Sequence, residues 1–388
     1  MSEKQKTGGE EKRHPIRSFL SFAVLLATVL LVVLFAAYRD GTGFDILRRY
    51  LHYGRSEQAG GEVVYHYDAS SKNRFALLGD HLVVLSDASL RLFDGQGAEV
   101  WSTPVTMAAP ALATGGGRAV AYDVGGTALY VLDQTGLLLE LTAHEEEPYI
   151  SATLNQSGVL AVTAQKRGYK GSVKVYDQAL EPDPAFEFQS SQRFVLDGYV
   201  RGDRLAAVTL GQENGVFISS VGFYDLSKNA KEPEASYSIS GGLVAAVGEA
   251  EGRIATVSDT VLTFAGTDGE ISASYPYQGA YLREYDLGGS GFAALLLNRY
   301  RSGSVGRLVT VDKNGEELGS LEVREEVLSI SAAGRYLAVL YAGHLTVYNQ
   351  DLQAYATLQG TEDTRGALMR PDGTVLLLSA SSASLFLP

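Results

Sequence analysis

Apolar and polar positions alternate in short runs along most of this chain, and turn-forming residues divide the runs into groups. Between 81 and 105 the segments HLVVLSD, SLRLFDGQG and AEVWSTPV carry apolar side chains at about every second position, the period of a strand. The groups recur. An apolar run meets a turn at Phe93-Asp94, Leu132-Asp133, Tyr176-Asp177, Tyr224-Asp225, Phe264-Ala265, Val311-Asp312, Tyr348-Asn349 and Phe386-Leu387, eight occurrences spaced 37 to 48 residues apart. That period belongs to a four-stranded propeller blade rather than to a helical or leucine-rich solenoid. The pattern therefore predicts an all-β fold, an eight-bladed β-propeller, with seven blades as the alternative if the weakest segments, the fifth or the eighth, fail to form.

The predicted blades cover about 75–105, 110–147, 149–191, 194–242, 243–279, 280–326 and 327–363, and an eighth runs from 366 with only three strands before Pro388. Glu62–Asp68 (EVVYHYD) is a strand-like run left without a blade ahead of the first one. Its economical place is as the missing outer strand of blade 8, which would close the ring without a free edge. The propeller domain is accordingly expected over 62–388.

Ahead of it the pattern changes. Residues 18–38 (SFLSFAVLLATVLLVVLFAAY) are 21 positions without a charge, long enough as a helix to cross a bilayer core of roughly 30 Å. Ala37 is preceded two places earlier by Phe35, which does not fit a small-x-small cleavage site, so an uncleaved transmembrane anchor is expected. The flanks differ by one cation: Lys4, Lys6, Lys12, Arg13 and Arg17 before it, Arg39, Arg48, Arg49 and Arg55 after it. With the usual signal-anchor plan this places tail 1–17 in the cytoplasm and the propeller outside it. Residues 39–61 read as a juxtamembrane spacer, in which Phe44, Leu47, Arg48 and Leu51 share one helical face.

Composition adds bounds. The chain carries a net charge of −13, and the portion from 39 onward holds 27 basic and 42 acidic residues, so as a whole it repels nucleic acid and anionic polymers. It has no cysteine, which excludes a disulfide framework and thiolate-ligated metals. The units LFDGQGAEVW and VLDQTGLLLEL resemble the outer strands of quinoprotein-like and WD40-like propellers, although Trp101 is the chain's single Trp. The anchor-plus-propeller layout resembles an uncharacterised family of single-pass membrane proteins of Gram-positive bacteria.

Chemistry-bearing motifs are sparse. The recurring Asp94, Asp133, Asp177, Asp225 and Asp312 read as turn caps, since an Asp opening a turn accepts from amides two residues on. The histidines, His14, His52, His66, His81, His144 and His344, are scattered without metal-ligand spacing, so no metal site is expected. There is no G-x-S-x-G elbow and no phosphate-binding loop, and no catalytic residue or cofactor is assigned.

The loops break the period. Three connections between second and third strands are expected to be long: 165–172 (QKRGYKGS), 211–220 (GQENGVFISS) and 298–306 (NRYRSGSVG). The first carries Lys166, Arg167, Tyr169 and Lys170, the second Phe217, the third Arg299, Tyr300 and Arg301. On the same face lie Glu145, Glu146, Glu147, Glu325, Glu326, Glu362 and Asp363. Arg and aromatic groups among acidic rims suit a protein-docking surface. The sequence thus points to a membrane-anchored, non-enzymatic scaffold with a protein partner at the cell envelope and no nucleic acid. The alternative is a sugar, calcium or quinone site in the central funnel.

Overall fold

The computed structural model describes residues 24–32, 63–228, 232–240 and 242–388. The chain divides into two compact units, Met1–Glu57 and Gln58–Pro388. In the first, the described residues form one helix over 24–32. Among the described residues no helix is long and apolar enough to cross a membrane. The rest of 18–38, the tail 1–17, the spacer 39–61, His14 and His52 lie outside the described residues.

The second unit is an eight-bladed β-propeller, eight four-stranded antiparallel sheets whose strands a to d follow one another from the central channel outward. Blade 1 is Arg74–Leu78, His81–Leu85, Ser89–Phe93 and Glu99–Pro104. The pattern repeats to blade 8, where Gly366–Met369, Val375–Leu378 and Ser382–Phe386 are joined by the outer strand Val63–His66. Blade 5, weak in sequence, is complete. This ring has no unpaired seam. Tyr67 Oη donates across it to the carbonyls of Ser379 (3.0 Å) and Ser382 (2.6 Å), and the Arg370 guanidinium donates to Tyr65 Oη and the Asp80 carbonyl, tying blade 8 to blade 1.

There is no single core. The buried apolar residues fall into eight clusters, each shared by two neighbouring blades. Middle strands are covered on both faces, so Tyr336–Tyr341 (YLAVLY) is buried at every position, whereas the outer strand Glu99–Pro104 alternates exposed and half-buried. That is why middle strands read as continuous apolar runs and outer ones as period-2 patterns.

The turn acids cap as expected. Asp94 Oδ1 accepts from Gln96 and Ala98 N–H, Asp312 Oδ1 from Asn314 and Glu316 N–H, and Asn349 fills the same place in blade 7. Asp133, Asp177 and Asp225 accept from the amide two residues on. In blade 5, where Ala265 holds the position, Asp268 Oδ1 accepts from Glu270 N–H instead.

Antiparallel order sorts the connections between two faces. The b–c and d–a loops emerge on an upper face, the a–b and c–d turns on a lower one. Val63 starts an outer strand, so the chain enters the ring on the lower face, and its C terminus leaves there too.

Candidate functional site

The inner strands line the central channel and carry a system of polar ties. In blades 3 to 7 the a–b pairing slips by one residue near the upper end, with the bulge at Ile150, Leu196, Ala245, Arg283 and Leu328. In four of these blades the residue after the bulge reaches the following blade. Ser151 Oγ donates to Asp197 Oδ1 (2.6 Å), Asp197 Oδ2 accepts from Val247 N–H (3.2 Å), Glu284 Oε1 from Ile330 N–H (3.2 Å), and Ser329 Oγ from Ala367 N–H (3.0 Å). Two residues further on a second rung forms: Thr153 Oγ1 donates to the Gly198 carbonyl, Asp286 Oδ2 accepts from Ala332 N–H and Ser331 Oγ from Met369 N–H. These bonds satisfy backbone groups that the inner edge strands would otherwise leave unpaired.

Burial pushes the Asp197 carboxyl up to about 6 and Glu284 up to about 7, against the lowering effect of the amides they accept from, and raises Asp286 as well. Perturbed carboxyls in a channel are candidate catalytic groups in general. Here each spends a carboxylate oxygen on the neighbouring blade, so they are ring ties. Sequence reasoning missed them. Their signal was a polar pair at i, i+2 inside an inner strand: Ser151/Thr153, Glu284/Asp286 and Ser329/Ser331.

The upper face carries most of the exposed apolar groups. Of fourteen large apolar side chains exposed among the described residues of the propeller, ten lie at upper strand ends or in upper loops and four at lower ends. Between blades 3 and 4 a pocket of about 470 Å³ is lined by Lys166, Tyr169, Lys170, Phe194, Leu196 and Leu210 among others. Lys170 Nζ stands 5.0 Å from the centre of the Phe194 ring, a cation–π contact. Phe194 is 56% exposed and Tyr169 45%.

The expected loop at 211–220 is not a loop. Strands Arg204–Glu213 and Val216–Asp225 run the whole way, joined only by Asn214 and Gly215, whose φ values of 51° and 83° suit a tight hairpin turn. The strand-favouring run Val216-Phe217-Ile218, two β-branched residues about an aromatic, extends the pairing, and Arg193 braces it by donating to Glu213 and to the Ile218 carbonyl. Phe217, near the tip, is 59% exposed.

The two basic loops do not meet, because blades 4 and 5 separate blade 3 from blade 6 around the ring. Several of their cations are already engaged by the acidic rim. Lys166 pairs with Glu187 (3.2 Å) and Glu147 (3.8 Å), Arg167 with Glu146 (3.5 Å), and Arg299 with Glu322 (3.9 Å). Tyr300 points to solvent, and Arg301 lines a second pocket, between blades 6 and 7. Among the described residues no group of His, Asp or Glu is placed to hold a metal ion.

Comparison with known proteins adds a family and a fold. Residues 56–355 match the model described as "Family of unknown function (DUF5711)". No curated protein matches the chain. A quinohemoprotein alcohol dehydrogenase of Pseudomonas putida HK5 superposes with a TM-score of 0.54 at 9% identity, over 85% of this chain and 77% of that one. AztD of Citrobacter koseri gives 0.49 at 10% identity (76% and 86%), and the WD40 β-propeller domain of Doa1 gives 0.46 at 12% (84% and 97%). These likenesses are of fold.

Proposed function

The chain belongs to the DUF5711 family of unknown function, and we propose that it is a membrane-anchored, extracytoplasmic scaffold that docks a protein partner on its upper face, between blades 3 and 4. The observation that carries this reading is the joining of Tyr169 and Lys170 to Phe194 in one open pocket. Aromatic groups half in solvent beside a cation with no acidic partner among the described residues fit an apolar side chain flanked by a carboxylate on the bound protein. The concentration of exposed apolar groups on the upper face supports the same assignment.

The anchor reading rests on the uncharged run 18–38, and the outward orientation on the usual signal-anchor plan, a short polar tail ahead of a larger domain, with a bias of one cation between the flanks. Protease added to intact cells should degrade the propeller, and full protection would reverse the orientation. Docking is tested with a photo-crosslinking side chain at Phe217 in cells. Lys170→Glu with Phe194→Ser should abolish the adduct, and Val100→Ser on the lower rim should not. An adduct that survives the double variant would refute the site.

A further inference from the structure

A different part of the upper face carries a second site, independent of the docking reading. Arg283 and Arg301 both line a cleft of about 410 Å³ between blades 6 and 7, with Asn298, Ser302, Ser304 and Glu326. Two features set these arginines apart. The first is pairing. On this face Lys166, Arg167, Arg193 and Arg299 each sit within 4 Å of a named carboxylate, whereas among the described residues neither the Arg283 nor the Arg301 side chain has a carboxylate within 4 Å or a hydrogen bond, Arg283 acting on Glu284 only at longer range. From residue 39 onward acidic side chains exceed basic ones by 15, so a cleft lined by two arginines against one acid, Glu326, runs against the general charge.

The second is placement. Arg283 sits on the bulge of the inner strand Tyr281–Asp286, and a bulge re-aims the side chain it carries. The equivalent residues of blades 3, 4, 5 and 7 are Ile150, Leu196, Ala245 and Leu328, so a cation occupies that place in blade 6 only. Arg301 comes from the loop above it. That loop is shaped from within: Arg299 N–H donates to the Val305 carbonyl (3.0 Å), and Asn298 Nδ2 to the Gly303 carbonyl (2.9 Å). Asn298 is buried, so the loop that bears Arg301 is anchored at its base.

We infer that this cleft binds a monocarboxylate, with Arg283 and Arg301 as its guanidinium donors and the Ser302 and Ser304 hydroxyls beside them. Planar guanidinium forks match a carboxylate with two parallel hydrogen bonds. Glu326 sets the charge of the ligand. Two cations against one carboxylate leave a single positive charge, which one carboxylate balances and a doubly charged phosphate exceeds.

The test is titration of the full-length chain in detergent with acetate, glucuronate and an acetylated peptide whose single carboxylate is its C terminus, with glucose and inorganic phosphate as comparators. Saturable binding of at least one carboxylate, stronger than that of glucose or phosphate, is expected. Arg283→Gln and Arg301→Gln should each weaken it by roughly tenfold or more, and Arg167→Gln, on the same face but ion-paired, should leave it unchanged. Absence of saturable binding by all three carboxylates, tighter binding of phosphate, or affinity indifferent to both arginines would each overturn the inference. Crosslinking at Phe217 should be unaffected by either variant, so failure here is distinct from failure of the docking site.

Discussion

Asp197→Asn isolates one tie of the inner ring and should change how stability depends on pH. The carboxyl is buried, accepts from Ser151 Oγ and from the Gly198 and Val247 amides, and is pushed up from an ordinary 3.8 to about 6, chiefly by desolvation. Because the folded value lies above the unfolded one, the folded chain holds this proton over a window from about pH 4 to 6. The contribution is complete below that window and is lost as pH rises through it. A difference of about two pH units is worth up to about 3 kcal/mol, at ~1.4 kcal/mol per unit. Asparagine is close to the protonated acid in shape and carries no charge. The variant should therefore match the wild type near pH 4 and gain on it by up to about 3 kcal/mol by pH 8. Glu284 and Asp286 titrate in both proteins and cancel in the difference. The assay is urea unfolding of the propeller at several pH values, followed by fluorescence of the single tryptophan, Trp101. A wild-type-minus-variant difference that moves by less than about 0.5 kcal/mol over that range would refute the account of Asp197 as a desolvated tie.

Two further substitutions probe the closure of the ring. Tyr67→Phe removes the hydroxyl that donates to Ser379 and Ser382 across blade 8, and should cost about 1–2 kcal/mol in urea unfolding; no loss would mean the seam does not depend on that bond. Gly97→Ala should be far worse, since Gly97 has φ +84° and an added Cβ would lie 1.8 Å from the Val64 carbonyl of the closing strand. A loss of about 3 kcal/mol or more is expected, against about 1 kcal/mol for Gly117→Ala, which has a positive φ but open space. Equal losses would show that strain, not the seam, decides.

The period of the turns was legible in the sequence because every blade solves the same local problem. Six blades place an Asx-type cap where the third strand turns into the fourth, and Asp94, Asp133, Asp177, Asp225, Asp312 and Asn349 recur for that reason. The strand left over at the N terminus was legible too, since Glu62–Asp68 had no local partner, and Val63–His66 pairs with Ser382–Phe386. At 211–220 local reading failed. Gln212 and Glu213 look like loop residues, yet the ladder of blade 4 continues through both to a two-residue turn.

What only the tertiary structure decided is which groups meet between blades. Asp197 and Val247 are fifty positions apart, and a polar residue in an inner strand shows that a partner is needed without showing which blade supplies it. The same holds on the upper face. Lys166, Arg167 and Arg299 read as exposed anchors until acids of the outer strands and of one connection, Glu187, Glu322 and Glu146, close on them, whereas Arg283, inconspicuous in an inner strand, sits on a bulge and lines the cleft that holds Arg301. Local sequence determined the blade, because capping and alternation act within a few residues. The ring determined the surface, because ion pairing and desolvation depend on neighbours that the chain brings together only when it closes.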